Sequence, residues 1–598
     1  MASLRAAVID LLAGEDRSGF GIACALDVER IPYRRIRRPE DFDARLLIVS
    51  GGQVTPAVLR FAVRTPTLII GSPASPPREL FGVGEGGTVR TAAEISLQEP
   101  IWPEPVRVAA QRFGKEALRV PKAPAFCPDT HPGGTVLAKL RNPEGALQPA
   151  IVRSGSCHWS LVDLGVAFAH LLDESYLPPR DGRTPRPLSR SALLLYYRAP
   201  EAIRRIFQRR VYRRLHAELA QQSTPSEYPV DATGWLLLEL LKQLVRSAAG
   251  GLVRVARWPA PYTSAATLAH DLEPTRFAYT QGLEALAGEI GRSGHPPTFG
   301  VVAGPAARYL TQRGADHLRG HDVLCHGLEH RGETLTGSRE AIAHGISVAR
   351  ARLEKQLDRR ITGFRSPRLD RSPDLPWALE RAGFRYDSSY PDVDRENMSH
   401  FGAGVRLNVP YRLPLAEGER LRPSACLELP VSAPDCIQPL FEGDDVRTLR
   451  RAVREKVAFV HATGGLYVGI VHAGVFGARD SARRTAHLAF VRDQLRHRDI
   501  WLATASEIAE WWFARERLEI ELDARGLTVA NRGDRPAQGV RVVLEYEPQK
   551  ETICDLPPLA PGASARVEIE ELSLLWTTPG RGICQESTVT GEVREAGG

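Results

Sequence analysis

His326 and His330 stand four residues apart in HDVLCHGLEHRG, directly after an apolar run and inside a glycine-containing bend. Two neutral imidazoles so placed suit a zinc-like ion, which takes two or three nitrogen or carboxylate ligands and leaves one position for water. Spacing alone is a weak signal: with 16 histidines in 598 residues, such a pair arises roughly 0.4 times by chance. The chain in fact carries a second pair, His317 and His321. Context separates the two. Val323 to Cys325 reads as a buried strand that ends where the first histidine begins, and functional groups gather at strand ends in α/β folds.

Other segments supply partners. SAATLAHDLE is a strand-like run ending in Asp271 and Glu273, two residues apart and so expected on one face. One of these carboxylates can bind a metal while the other stays free as a base. ITGFRSPRLD puts Arg365 at a strand end before Pro367, where a guanidinium can orient a carboxylate by paired hydrogen bonds. A helix-like stretch then leads into RAGFRYDSSYPD, around Asp387. LELPVS and LYVGIVHAG are two further apolar runs, and the second ends in His472, which has the place of a general acid outside the ligand set.

In this order the five segments resemble the polysaccharide deacetylases of the NodB-homology type, carbohydrate esterase family 4, over roughly residues 264 to 512. The resemblance implies a distorted (β/α) barrel and a metal-dependent hydrolase that removes N-acetyl groups from a sugar or polysaccharide. It places the base on Asp271, the metal ligands on Glu273, His326 and His330, the base-orienting arginine on Arg365 and the acid on His472. Zinc is the expected ion, although two imidazoles and a carboxylate also suit non-haem iron. Three departures stand out: Glu273 where an aspartate is usual, Gly327 where Ser or Thr is usual, and Ala473 where a proline often follows the acid histidine. They keep a degenerate, non-catalytic carbohydrate-binding protein in view, and the resemblance also leaves open hydrolysis of another non-peptide C–N bond, since members of the same barrel family act on small cyclic amides.

A rival motif overlaps the ligand pair. His326-Gly327-Leu328-Glu329-His330 fits the H-x-x-E-H pattern of inverted zinc peptidases, with Glu329 as base. That pattern must lie within a helix. The preceding strand-like run, Gly327 and Gly332 argue against one, which leaves Glu329 as a solvated or supporting residue.

The flanks are read as further domains. A length of 598 residues allows several, and 43% hydrophobic with 25% charged residues is ordinary globular composition. Residues 1–177 alternate apolar strands (Ala6 to Leu12, Leu46 to Val49, Thr67 to Ile70) with helical stretches, an open α/β domain whose turns at Gly51-Gly52 and Gly71-Ser72 resemble glutamine-amidotransferase-like domains. With no Gly-x-Cys-x-Gly elbow it is expected to be non-catalytic. Residues 178–258 are expected to form a Pro/Arg-rich linker and helical segment, including a basic helix around Arg204 to Arg214 and a buried helix from Pro229 to Val245. The barrel is placed at 259–514, and 515–598, alternating and turn-rich, at an immunoglobulin-like β-sandwich. A net charge of +7 over this length is too dilute to call for nucleic acid. The eight scattered cysteines read as reduced thiols, and with no signal peptide or membrane-spanning run the expected location is cytoplasmic. The expected partner is an N-acetylated carbohydrate.

Overall fold

The fold was read from a computed structural model. It describes residues 9–72, 78–83, 87–91, 94–120, 123–129, 132–142, 144–175, 203, 206, 227–330, 334, 337–393, 404–418, 420–432, 446–472, 481–496, 498–523, 526–546, 550–568 and 591–594. The Pro/Arg-rich linker and nearly all of the basic helix expected around residues 204–214 lie outside them, as does Ala473.

Nine strands form the central sheet. Around it run Leu466–Ile470, Ser264–Leu272, Pro297–Val301, Asp322–Cys325, Gly363–Phe364, Tyr386–Asp387 and Arg420–Glu428, each parallel to the next. Tyr411–Glu417 lies antiparallel on the last of these, and Ile500–Leu502 pairs with the first residues of Ser264–Leu272. The sheet curls almost into a ring. Just beyond Glu428, the Ser432 amide donates to Val468 O at 2.9 Å and its hydroxyl to Leu466 O at 3.1 Å, joining the two ends. All nine residues of Ser264–Leu272 are buried, as expected for a parallel strand covered on both faces, and its polar members Ser264, Thr267, His270 and Asp271 are buried with the rest. The two short strands, Gly363–Phe364 and Tyr386–Asp387, are what distort the barrel: each stops after two residues and hands its chain to a loop.

Ahead of the barrel, five parallel strands (Tyr33–Arg35, Ile9–Leu12, Leu46–Ser50, Thr67–Ile70, Cys157–Ser160) continue into four antiparallel ones (Leu147–Ser154, Thr135–Arg141, Glu94–Ser96, Ala117–Arg119). The helices Arg17–Glu29 and Leu164–Leu172 cross at Gly21 and Gly165, so closely that a Cβ on Gly21 would sit 1.9 Å from Gly165 O. The buried helix anticipated from Pro229 to Val245 runs from Thr233 to Ala249. Asp231 precedes it and accepts from the Thr233 amide and hydroxyl, which fixes a later start.

Two antiparallel sheets follow the barrel. One holds Leu518–Asp523, Gly526–Asn531, Ser564–Glu568 and Gly591–Arg594. The other holds Arg541–Tyr546, Lys550–Asp555 and a strand from before the barrel, Gly251–Val255, which the sequence reading leaves in the connecting segment. The last barrel helix, Ala505–Glu516, is tied to the same region: Arg515 donates to Ala256 O and Val255 O. No helix among the described residues is long and apolar enough to cross a membrane.

On the outside of the first barrel strand, His270 Nε2 lies 3.2 Å from His295 Nε2, beside Phe299. Burial pushes the His295 pKa down to about 4, helped by Arg492, Arg496 and His321. The folded protein therefore excludes a proton that the unfolded chain takes up near pH ~6.5. The resulting stability is complete above that pH and is lost as pH falls toward about 4. The denaturant midpoint should fall across this window, and less steeply in His295→Gln. An equally steep fall in the variant would clear His295 of the effect.

Candidate active site

The barrel brings all six predicted side chains to one end of its strands. Asp271 is the next-to-last residue of its strand and Glu273 the first residue past it. His326 follows Asp322–Cys325 directly, Arg365 follows Gly363–Phe364, and His472 stands two residues beyond Leu466–Ile470. In parallel β/α folds every strand points its carboxyl end the same way, so residues far apart in sequence meet there.

Asp271 is 2% exposed, and Arg365 donates to its Oδ1 from Nη1 at 3.0 Å. The guanidinium is held in turn by Ser388: Nε donates to the carbonyl and Nη2 to the hydroxyl, both at 2.9 Å. Burial alone would raise the Asp271 pKa, but Arg365, with His326 and His472 nearby, holds it at about 2. Asp271 is thus an ionised carboxylate in a dry setting. Room for it comes from Gly300, its register partner on the next strand, where a Cβ would lie 2.1 Å from Oδ1.

His326 places its ring by the same economy. Its Nδ1 donates to Arg365 O at 3.0 Å, which leaves the Nε2 lone pair free to face the carboxylates, the usual arrangement behind a metal-binding imidazole. Burial pushes its pKa down to about 4, so the ring is neutral at pH 7. Its Nε2 is 3.9 Å from Asp271 Oδ2, and His330 Nε2 is 3.9 Å from Glu273 Oε2. The two rings lie 5.2 Å apart. His472 Nε2 is 3.3 Å from Glu273 Oε1, so the histidine outside the expected ligand set touches the carboxylate inside it.

The donor chemistry fits a zinc-like ion: two imidazole nitrogens and the Glu273 carboxylate, with His330 Nε2 and Glu273 Oε2 at a separation that a single ion could bridge with bonds of about 2.0–2.2 Å. Among the described residues no three His, Cys, Asp or Glu side chains already stand at coordinating positions.

The bend that carries both histidines is not helical. Gly327 has φ 79° and His330 φ 59°, so the glycine that departs from the usual Ser or Thr is demanded by the backbone. His330 in a left-handed conformation is strain of the kind stored at functional sites. The bend is pinned where Ala303 N donates to Gly327 O and Gly304 N to Leu328 O. Glu329 turns outward to Arg308, at 3.0 and 3.1 Å, and with no helix beneath it the inverted-peptidase arrangement is absent.

Sequence reasoning did not single out Ser388, Ser389 or Gly300. The Ser388-Ser389 pair after Asp387 was the available signal, since small hydroxyl residues at a strand end can seat a guanidinium. Gly300 left none, because its role is only to have no side chain.

No family model matches the chain, and no curated protein matches it. Among solved structures it is similar to a protein described as a candidate polysaccharide deacetylase from Mycobacterium smegmatis, at 24% identity over 43% of this chain and 93% of that one, with a TM-score of 0.33. It is similar to a protein described as a probable polysaccharide deacetylase from Pseudomonas aeruginosa PAO1, at 16% identity over 43% and 93%, TM-score 0.34. A third is Puue allantoinase, at 16% identity over 44% and 93%, TM-score 0.34. Overlap of this order leaves the functional reading to the geometry of the side chains.

Proposed function

We propose that the protein is a metal-dependent hydrolase of a non-peptide C–N bond, and that its substrate is an N-acetyl group on a sugar or polysaccharide. One observation carries this reading: a buried, ionised carboxylate locked by an arginine stands 3.9 Å from a neutral imidazole whose other nitrogen is already committed. Glu273, His326 and His330 would hold the ion, with zinc the first choice; when bound, such an ion makes water more acidic and draws charge from a carbonyl oxygen.

The remaining work falls to the chain. Asp271 accepts a proton from the attacking water, which a carboxylate held ionised can do at neutral pH. The water oxygen bonds to the acetyl carbonyl carbon. As the C–N bond breaks, His472 gives a proton to the departing amine. Acetate and the free amine leave, and Asp271 and His472 return to their starting protonation by exchange with water. Arg365 keeps Asp271 charged and aimed. The open α/β unit before the barrel is read as a scaffold without chemistry of its own.

A compact amide is a second reading, favoured by burial: Asp271, Glu273, His326 and His330 are each at most 7% exposed, which suits a small closed substrate better than an internal unit of a long glycan. Acetate release from N-acetylated mono- and oligosaccharides, run beside ring opening of small cyclic amides with metal content measured on the same samples, separates the two. Hydrolysis of neither class by metal-loaded protein would remove the proposal.

His326→Ala and His330→Ala should each empty the metal site while leaving the protein folded, because both residues lie past the strand end and outside the apolar core. Full metal content in both variants would break the ligand assignment.

A further inference from the structure

Behind Arg365, two carboxyl groups occupy a place where only one negative charge is tolerable. Asp387 and Glu428 face each other in register on adjacent parallel strands, and both are 0% exposed. Each has one oxygen satisfied: Asp387 Oδ1 accepts from the Ser389 hydroxyl at 2.6 Å and Glu428 Oε1 from the Tyr390 amide at 3.0 Å. The second oxygen of each, Asp387 Oδ2 and Glu428 Oε2, is buried and has no hydrogen-bond partner among the described residues. Two carboxylates side by side in a buried setting repel and neither can donate, so a single proton held between them would satisfy both unpartnered oxygens.

The pair adjoins the seat of Arg365. Ser388, between Asp387 and Ser389, takes two of the guanidinium's donors and passes its own hydroxyl proton to Leu429 O, one residue past Glu428. The Ser389 hydroxyl, held by Asp387, accepts from Ser366 N, one residue past Arg365. We propose that Asp387 and Glu428 share one proton and serve as positioning residues for Arg365, and that loss of this proton at alkaline pH unseats the guanidinium from Asp271. With the proton in place the pair carries one negative charge beside Arg365. Without it there are two, which repel each other and compete with Asp271 for the same cation.

The charged and titratable groups facing the pair agree with a single shared proton. They are Arg365, Arg371, Tyr390, Tyr411 and Cys426. Burial pushes both phenols and the thiol well up, so these three stay neutral. Arg371 is itself clamped by Glu174, whose two oxygens accept at 2.7 Å each. Burial also pushes Asp387 up to about 6 and Glu428 well above the ordinary carboxyl range.

The alkaline release rests on the reading of Asp271 as general base; the shared proton does not, and two measurements keep them apart. Infrared spectra of the full chain at about pH 8 should show the C=O stretch of a protonated, buried carboxyl group, a pH at which ordinary carboxyls are ionised. Asp387→Asn and Glu428→Gln, near-isosteres that can donate to the remaining carboxylate, should each abolish it. Absence of the band from the wild-type protein, a spectrum that needs no variant to fold, overturns the proposal, and so does its persistence in both variants. In pH-rate profiles, the wild-type alkaline limb should move at least tenfold in proton concentration in Asp387→Asn, whereas a merely structural role would lower stability and leave the limb in place. A band that behaves as expected in a protein without amide hydrolysis supports the shared proton and sinks the functional reading. Hydrolysis with an unmoved limb sinks the positioning role.

Discussion

Asp271→Asn should lower turnover on an amide substrate by a factor on the order of 100 or more, the usual scale for losing a general base. The geometry makes the substitution clean. Asparagine keeps an oxygen for the Arg365 Nη1 donor at the 3.0 Å site, and the space opened by Gly300 still admits it; what disappears is the negative charge and the ability to take a proton. Metal content should stay near wild type, since Glu273, His326 and His330 are untouched. The folded protein should also lose stability, because Arg365 would be left buried without its counter-ion, and removing one partner of a buried pair costs roughly 3–5 kcal/mol. Turnover, metal content and denaturant midpoint measured on one preparation check all three. If metal is lost while Glu273→Ala keeps it, the two carboxylates have exchanged roles.

The pH dependence of that stability has a definite sign. Asp271 is held at about 2 in the fold against about 3.9 in an unfolded chain. Its contribution is present above the higher value and is lost as pH falls through the interval. The His295 effect acts at higher pH, between about 6.5 and about 4, so the two are separable on one titration.

The clustering of the candidate site residues was legible in sequence because they are announced by local pattern. Each lies at or beyond the end of a largely apolar run, and a buried parallel strand tends to be such a run; strand and side chain therefore appear together, as in LYVGIVHAG with His472 or HDVLCH with His326. The supports were harder to see. Ser388 matters through its hydroxyl and its carbonyl, and a carbonyl has no signature in a residue's identity. Asp387 and Glu428 are 41 positions apart in number and come together only by the register of two strands. Gly251–Val255 failed for the same reason: it pairs with Arg541–Tyr546 across the whole barrel, and nothing local distinguishes it from a connector. Periodicity reports which face is buried. It does not report against what.

Arg365 is the residue where stability and chemistry are hardest to separate, so its replacement should have the largest combined effect. It is 0% exposed, with Asp271 on Nη1 and Ser388 on Nε and Nη2. Arg365→Met fills similar volume but strands a buried carboxylate and two serine acceptors; the buried-pair cost again falls at roughly 3–5 kcal/mol. With the guanidinium gone, burial acts on Asp271 with only His326 and His472 opposing it and pushes its pKa upward, so the variant should hydrolyse poorly even where it remains folded. Arg365→Lys should not rescue it, because a single ammonium cannot reproduce the planar three-way fork. The decisive comparison is the double variant Asp271→Asn/Arg365→Met. If each single change is costly because it leaves the other group charged and alone, removing both should cost less than the sum of the two, by more than about 1 kcal/mol in a denaturant cycle. Strictly additive losses would mean that the pair does not interact as the 3.0 Å contact implies, and Arg365 would then be a packing residue whose effect on Asp271 is incidental.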